Sequence, residues 1–169
     1  TPPEASLRLN ASGVAAKTQS TKMARTSIYL NFTHHTEEAF AFYKEVFGTE
    51  YSDEIARFRD IPPQDGVAPI EEADLDLVMH VSLPILGGFQ LMWSDAPESL
   101  VIQLFAGNNL HINLEPDTRS ETDRLFNALS EGGTIEMPLQ DMFWGAYYGS
   151  CRDRFGIQWM FNCTESLPD

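Results

Sequence analysis

The chain has little cysteine, few basic residues and no long apolar run. Among its 169 residues there are two cysteines, and 11 Lys and Arg stand against 25 Asp and Glu, for a formal net charge of −14. This deficit of positive charge argues against nucleic acid as a partner, because phosphate contacts need clustered Lys and Arg, and against anionic membrane surfaces. No apolar run reaches the roughly 20 residues of a membrane-spanning helix. We therefore expect a cytoplasmic protein with no membrane and no nucleic-acid partner.

The two cysteines, Cys151 and Cys163, form no Cys-x-x-C motif. If the chain turns near Arg154, Cys151 faces a residue near Gln158 and not Cys163, so a disulfide between the two cysteines fits the strand register poorly. We predict two buried thiols in a reducing compartment.

Motifs of several enzyme classes are also missing. The serines at 94 and 150 do not lie in a Gly-x-Ser-x-Gly nucleophile elbow, and there is no phosphate-binding loop. No glycine-rich turn joins a strand to a helix in the way that cradles a nucleotide-like cofactor. The sequence therefore predicts no cofactor, and it gives no support to a methyltransferase.

The chain does contain an internal sequence repeat, whose second copy lies in its aromatic last third. The segment 156–162 (GIQWMFN) aligns with 88–94 (GFQLMWS), with Gly, Gln and Met in common. The segments 30–32 (LNF) and 112–114 (INL) also match, and an amphipathic helix follows each of them. These matches predict a chain built from two copies of one strand-rich unit.

Each copy is predicted to be a βαβββ module. Thr36 and Thr118 are the expected helix caps, and Gly48 and Gly132 the expected helix ends. The predicted strands are 27–32, 50–59, 77–83 and 88–94 in the first module, and 109–115, 134–140, 146–152 and 157–163 in the second. An acidic loop with three prolines fills 60–76, and an apolar stretch, 100–105, lies in the linker.

These elements define one α+β domain over 27–163, with modules at 27–97 and 108–163. The segments 1–26 and 164–169 are expected to be flexible tails, since the first has few large apolar residues. A helix on one face of each sheet leaves the opposite face free to curl around a cavity.

Short motifs in the predicted order, at 29–32, 38–48, 94–97, 143–145 and 153–160, resemble the PhnB-like branch of the vicinal oxygen chelate superfamily, which includes glyoxalases, bleomycin-resistance proteins and extradiol dioxygenases. The resemblance implies paired βαβββ modules, a cupped mixed sheet around a cavity, and a homodimer. Members of this branch carry a methyltransferase label, which the sequence does not support.

The resemblance also implies positions for a divalent metal, which metal-dependent members hold with His, Glu or Gln. The last-strand positions fall at Met92 and Met160, and thioethers are poor ligands beside oxygen donors. The first-strand positions fall near Ser27 or Tyr29, and near Asn109 or His111. Only His111 is an obvious ligand, so the sequence predicts no bound catalytic metal.

Strand alternation predicts which side chains line the cavity. His111, Asn113 and Glu115 alternate with Leu110, Ile112 and Leu114, and we expect the apolar set to lie under the second helix and the polar set in the cavity. His80 shares its strand face with Ser82, and Trp144 lies at a turn where it could close the cavity mouth. The predicted ligand-binding residues are Asn31, His80, His111, Asn113, Trp144 and Gln158.

Three functions compete on this sequence. The first is a small-molecule binding protein with an aromatic-lined cavity and no catalytic metal. The second is a divalent-metal enzyme of the glyoxalase or dioxygenase kind, with His80, His111 and Glu115 or Glu136 as unusual ligands. The third is an interaction module whose cavity is filled by its own side chains.

Overall fold

A computed structural model describes residues 24–63, 65–66, 69–97 and 103–165. The first module consists of β1 (Ile28–Phe32), α1 (Thr36–Phe47), β2 (Ala56–Arg57), β3 (Val78–Pro84) and β4 (Gln90–Asp95). The second consists of β5 (Ile112–Leu114), α2 (Arg119–Ser130), β6 (Thr134–Asp141), β7 (Tyr147–Arg152) and β8 (Gln158–Cys163). Short 3-10 turns cover Phe58–Asp60, Glu72–Asp74 and Leu86–Gly88.

The two modules share one topology. Their four-stranded sheets have the orders β1-β4-β3-β2 and β5-β8-β7-β6. In each sheet the first strand runs parallel to the last, and the last two strands form an antiparallel hairpin. The predicted α+β fold of paired βαβββ modules is therefore confirmed.

The ladder register gives the equivalence between the modules more accurately than the sequence does. Met92 lies between Tyr29 and Ser82, and Met160 lies between Asn113 and Ser150. Asn113 thus corresponds to Tyr29. The first-strand sequence match had suggested Asn31 instead. The match failed because the alternation of a strand has period 2, and a shift of two residues leaves the apolar pattern unchanged.

The helices cover one face of each sheet and create a single core. Trp93 of β4 packs against Phe40 of α1 at a ring-centroid distance of 4.0 Å, and Phe161 of β8 packs against Phe126 of α2 at 5.3 Å. Both sheets contribute to one buried cluster, which includes Leu91, Leu125 and Trp159. The alternate side chains, Met92 and Met160 among them, face away from the helices.

The modules are joined through α1. Tyr43 of α1 stacks on Trp93 of its own sheet and lies 5.6 Å from the ring of Trp159 in the other sheet. Its hydroxyl donates to the Asp153 carboxylate in the β7–β8 turn. Arg124 of α2 donates to the carbonyl oxygen of Val46 at 2.9 Å. These contacts fix the two modules against each other.

The helix starts differ from each other in one respect that the sequence did not show. Thr118 caps α2 as predicted, accepting from the Glu121 N–H at 3.2 Å. Thr36 does not cap α1, because it is the first helical residue and is buried. Its N–H instead donates to Asp95 of β4 at 3.1 Å, and the Val78 N–H donates to the same carboxylate at 2.9 Å.

The predicted boundaries agree less well with the structure at the second strand of the first module. The strand predicted at 50–59 is reduced to Ala56–Arg57, because Asp60 accepts from the Arg57 N–H and turns the chain into a 3-10 helix. The predicted tails lie mostly outside the described residues, as do 100–102 of the apolar linker. Cys151 lies opposite Trp159, and both cysteines are buried and free, as predicted.

No helix in the described part of the chain is long and apolar enough to cross a membrane.

Candidate functional site

Two clefts lie where the first strand of one module meets the last hairpin turn of the other. The hairpin cleft, of about 430 Å³, is lined by Ile28, by the β3–β4 turn residues Ile85, Leu86, Gly87 and Phe89, and by 111–115 of the second module. Its lining includes two groups that can carry charge, His111 and Glu115, and the polar Asn113, and its other side chains are apolar.

The linker cleft is the larger of the two, at about 540 Å³. Its walls come from β1, from the linker residues 104–110 and from the β7–β8 turn residues 155–157, with Gln158 at the start of β8. Aromatic and aliphatic side chains, including Tyr29, Phe105, Leu110 and Phe155, alternate with a few polar groups. None of its described lining residues is Asp, Glu, Lys or Arg, although the chain as a whole carries a net charge of −14.

Leu110 departs from its prediction. It precedes β5 and does not continue it, so it lies at the linker cleft and is 58% exposed instead of packing under α2. Ile112 and Leu114 are buried, as the alternation predicted.

Gln158 is the most constrained polar group of the linker cleft. It is only 7% exposed, and its Nε2 donates to the carbonyl oxygens of Gly107 at 3.2 Å and Leu110 at 3.0 Å. Two accepting carbonyls fix which end of the amide is nitrogen. No group among the described residues donates to Oε1, and this oxygen is not sealed from solvent. It therefore presents an unused acceptor to the cleft.

Asn31 of β1 supplies the complementary group. Its Oδ1 accepts from Ser94 Oγ at 3.0 Å, so its Nδ2 is left as a donor. Asn31 and Gln158 line the same cleft. Sequence analysis predicted both as ligand-binding residues, and the structure brings them together.

His80 lies on the uncovered face of the first sheet. Its Nδ1 is 3.3 Å from the Tyr29 hydroxyl, and the two rings stack at a centroid distance of 5.8 Å. Tyr29 also lines the linker cleft, whereas His80 does not. An imidazole and a phenol therefore lie next to each other on this face. Tyr29 is paired with Met92 of β4 in the strand register.

His111 and Asn113 lie on β5 or next to it and line the hairpin cleft. His111 Nε2 is 3.4 Å from a carboxylate oxygen of Glu136 on β6, so these two side chains meet on the uncovered face of the second sheet. Asn113 is exposed beside Met160. His111 and Asn113 therefore form one site, and Asn31 and Gln158 form another.

The donor set does not fit a catalytic divalent metal. Such a site needs about three protein ligands of His, Cys or carboxylate type. Among the residues that the structure describes, no group of three or more His, Cys, Asp or Glu could hold a metal ion. His111 with Glu136 is a pair, and Met160 lies at a position where the family resemblance implies a further ligand.

Trp144 lies at the β6–β7 turn, away from both clefts. It is 51% exposed and makes edge-to-face contacts with Phe143 and Tyr148. In the described part of the chain it lines neither cleft. Its predicted role at a cavity mouth is not supported within one chain.

Asp153 is the important residue that sequence analysis missed. It is 3% exposed and accepts from Tyr43 Oη, from Trp159 Nε1 at 2.8 Å, and from the backbone N–H groups of Phe155 and Ile157. Burial raises the pKa of this carboxyl, and the four donors lower it only in part. Burial and the neighbouring carboxyl raise the pKa of Tyr43 as well. Asp153 shapes the turn that forms one wall of the linker cleft.

Comparisons with known proteins agree on the fold and the family. The family model of the Glyoxalase/Bleomycin resistance protein/Dioxygenase superfamily matches residues 25–161. Protein YjdN of Escherichia coli is 30% identical over 148 residues, which cover 84% of this chain and 97% of YjdN.

Two solved structures are also similar. The crystal structure of protein PA1353 from Pseudomonas aeruginosa is 35% identical, with a TM-score of 0.70, covering 84% of this chain and all of that one. A Bacillus cereus PhnB protein, described as a putative 3-demethylubiquinone-9 3-methyltransferase, is 25% identical with a TM-score of 0.64 and covers 83% of this chain and 99% of its own.

Proposed function

The chain belongs to the glyoxalase/bleomycin resistance/dioxygenase superfamily, in its PhnB-like branch, and from that premise we propose that it binds a small organic molecule in the linker cleft without a catalytic metal. The observation that carries this proposal is the cleft itself. At about 540 Å³, with apolar walls and few polar groups, it has the size and composition of a small-molecule site.

The ligand-binding side chains of this proposal are Asn31 and Gln158 in the linker cleft. His80 acts through Tyr29, which lines the cleft and lies against the His80 ring. His111 and Asn113 belong to the hairpin cleft, which we propose as a secondary contact region.

Binding in the linker cleft can be tested with the neutral apolar dye 1-N-phenylnaphthylamine, whose emission rises in apolar surroundings. Leu110→Asp places a carboxylate in the cleft at an exposed position and is expected to weaken dye binding at least tenfold, because an apolar guest then meets a solvated charge. Asn127→Asp is the control for an added carboxylate, since Asn127 is exposed on α2 and lines neither cleft. Equal binding by both variants would disprove the proposed site.

A metal-dependent enzyme is the second candidate, and the His111–Glu136 pair is the observation that favours it. If the pair holds a metal, protein purified without a His tag contains near-stoichiometric Zn, Ni, Mn or Fe, and His111→Ala removes it. His34→Asn is the control, because His34 is exposed in a left-handed conformation that asparagine tolerates. We expect no such metal in the wild-type protein.

The methyltransferase description of the Bacillus relative does not extend to this chain in our proposal. The support is the sequence, which has no glycine-rich turn between a strand and a helix to hold a nucleotide-like cofactor.

We also propose a homodimer. β6 is an outer edge strand of eight residues, and unpaired edges are usually covered. Phe143 is 95% exposed and its ring lies against that of Trp144, which is 51% exposed, so the two form an exposed apolar patch of the kind found at interfaces. Light scattering at micromolar concentration is expected to give twice the chain mass. A monomer mass would refute the dimer, and the same measurement on Leu110→Asp separates loss of dye from loss of the dimer.

A further inference from the structure

The linker cleft differs from its surroundings in charge and in hydrogen-bonding capacity. Its described walls contain no Asp, Glu, Lys or Arg, and their one imidazole, His35, lies 3.8 Å from the carboxylate of Glu38, which is not part of the walls. A charged ligand would lose its hydration there without an opposite charge to replace it, and that loss is unfavourable. The walls therefore favour a neutral ligand.

The polar groups of the cleft select further. Gln158 is more than nine-tenths buried, its Nε2 is held by two backbone carbonyls, and its Oε1 has no donor in the described chain. This oxygen is open to the cleft, so a ligand that displaces water from it must supply an N–H or O–H group in place of the water. Asn31 offers the reverse, a free Nδ2 donor, because Ser94 already occupies its Oδ1.

The equivalent residue of the first module shows that this free oxygen is not imposed by the fold. Gln90 occupies the same place in the repeat as Gln158, yet its Oε1 accepts from Ser52 Oγ at 2.9 Å and from Ser82 Oγ at 2.8 Å. Only the linker-cleft glutamine of this pair keeps its oxygen unused.

From these observations we propose that the linker cleft binds a neutral, flat molecule that carries an N–H donor next to a C=O acceptor, as in a carboxamide or a lactam. The N–H donates to Gln158 Oε1, the C=O accepts from Asn31 Nδ2, and the ring packs against Phe105 and Phe155. This assignment rests on the proposed small-molecule function and names its ligand class.

The probes are benzamide and quinolin-2(1H)-one, and their controls are N,N-dimethylbenzamide and N-methylquinolin-2(1H)-one, which lack the N–H. Titration calorimetry and displacement of 1-N-phenylnaphthylamine give the affinities. The N–H probes are expected to bind at least roughly tenfold more tightly than the N-methyl compounds, because the latter leave Gln158 Oε1 unpaired.

Asn31→Asp tests the second contact. It keeps the acceptor for Ser94 but replaces the ligand-facing donor, so we expect roughly tenfold weaker binding of the N–H probes. Asn127→Asp is the matched control, because Asn127 is exposed on α2 and lines neither cleft, and it should bind like the wild type. Both positions are exposed, so folding is not at risk, as it would be for a change at Gln158.

The outcomes separate the two proposals. Dye binding that Leu110→Asp abolishes, with no preference for the N–H probes or no effect of Asn31→Asp, overturns the ligand class and leaves the small-molecule function standing. Absence of both dye and probe binding overturns the function and the ligand class together.

Discussion

Gln90 and Gln158 occupy equivalent positions in two modules of the same topology, but they have different hydrogen-bond partners. Gln90 is saturated by two serines of its own module. Gln158 reaches out of its sheet to hold the backbone of the linker, and its oxygen remains free. The repeat therefore determines where a side chain lies, while its neighbours decide whether it can bind a ligand.

The buried carboxylates of the two modules differ in the same way. Asp95 acts within the first module, accepting from the first turn of α1 and from β3. Asp153 acts between modules, because Tyr43 belongs to α1 and Trp159 to β8. One carboxylate completes a helix, and the other joins the halves of the domain next to the linker cleft.

The largest effect that we predict comes from breaking this second carboxylate. Asp153→Ala leaves Tyr43 Oη, Trp159 Nε1 and two backbone N–H groups without their acceptor, and should lower the free energy of unfolding by about 3–5 kcal/mol. Urea unfolding measures it. Asp153→Asn, which keeps one acceptor oxygen, should lose less, and equal losses would show that the contacts contribute little.

The second prediction concerns Cys151, which lies in β7 two residues before Asp153. Burial raises the pKa of this thiol to about 12. A folded-state pKa above the unfolded value means that the native protein keeps its proton where the unfolded chain loses it, so stability falls as pH rises from 9 towards 12.

Cys151→Ala should therefore flatten the alkaline decline, measured as the urea midpoint at several pH values from 8 to 11. Tyr147, whose burial raises its pKa to about 12, contributes a decline of the same sign in both proteins. Parallel pH profiles for the variant and the wild type would contradict the prediction.

A third, smaller effect sharpens the comparison of the two glutamines. Gln158→Ala frees the Gly107 and Leu110 carbonyls and should cost about 1–2 kcal/mol, with faster hydrogen exchange confined to 103–111. Gln90→Ala should cost a similar amount but change exchange around Ser52 and Ser82. Exchange that rises in the same segment for both variants would show that the two roles are not distinct.

The sequence predicted much of this fold because alternation and helical spacing are local. The burial of Ile112 and Leu114, the Thr118 cap and the separation of Cys151 from Cys163 all depend on near neighbours. The GxQxM repeat placed Gln90 and Gln158 in equivalent strands, which the sheet orders confirm.

What the sequence could not show depends on contacts between distant segments. The partners of Asp153 include Tyr43, which is 110 residues away, and the cap of α1 is Asp95, 59 residues from Thr36. No local pattern records such pairs, so Asp153 resembled an ordinary turn residue. The free oxygen of Gln158 was hidden for the same reason, since it depends on which backbone carbonyls the linker brings to its nitrogen.

The two helix caps differ in how far their partners lie along the chain, and the local cap, Thr118, should give the smallest effect of all. Thr118→Ala removes one local acceptor at an exposed helix start, and should cost about 1 kcal/mol. Asp95→Ala removes the acceptor of both the Thr36 and Val78 N–H groups in the core, and should cost about 2–3 kcal/mol. Thermal and urea unfolding of the two variants give the order. If Thr118→Ala cost as much as Asp95→Ala, a cap supplied by a distant strand would contribute no more to stability than a local one. The two modules would then stabilise their helix starts to the same extent, contrary to what their hydrogen bonds indicate.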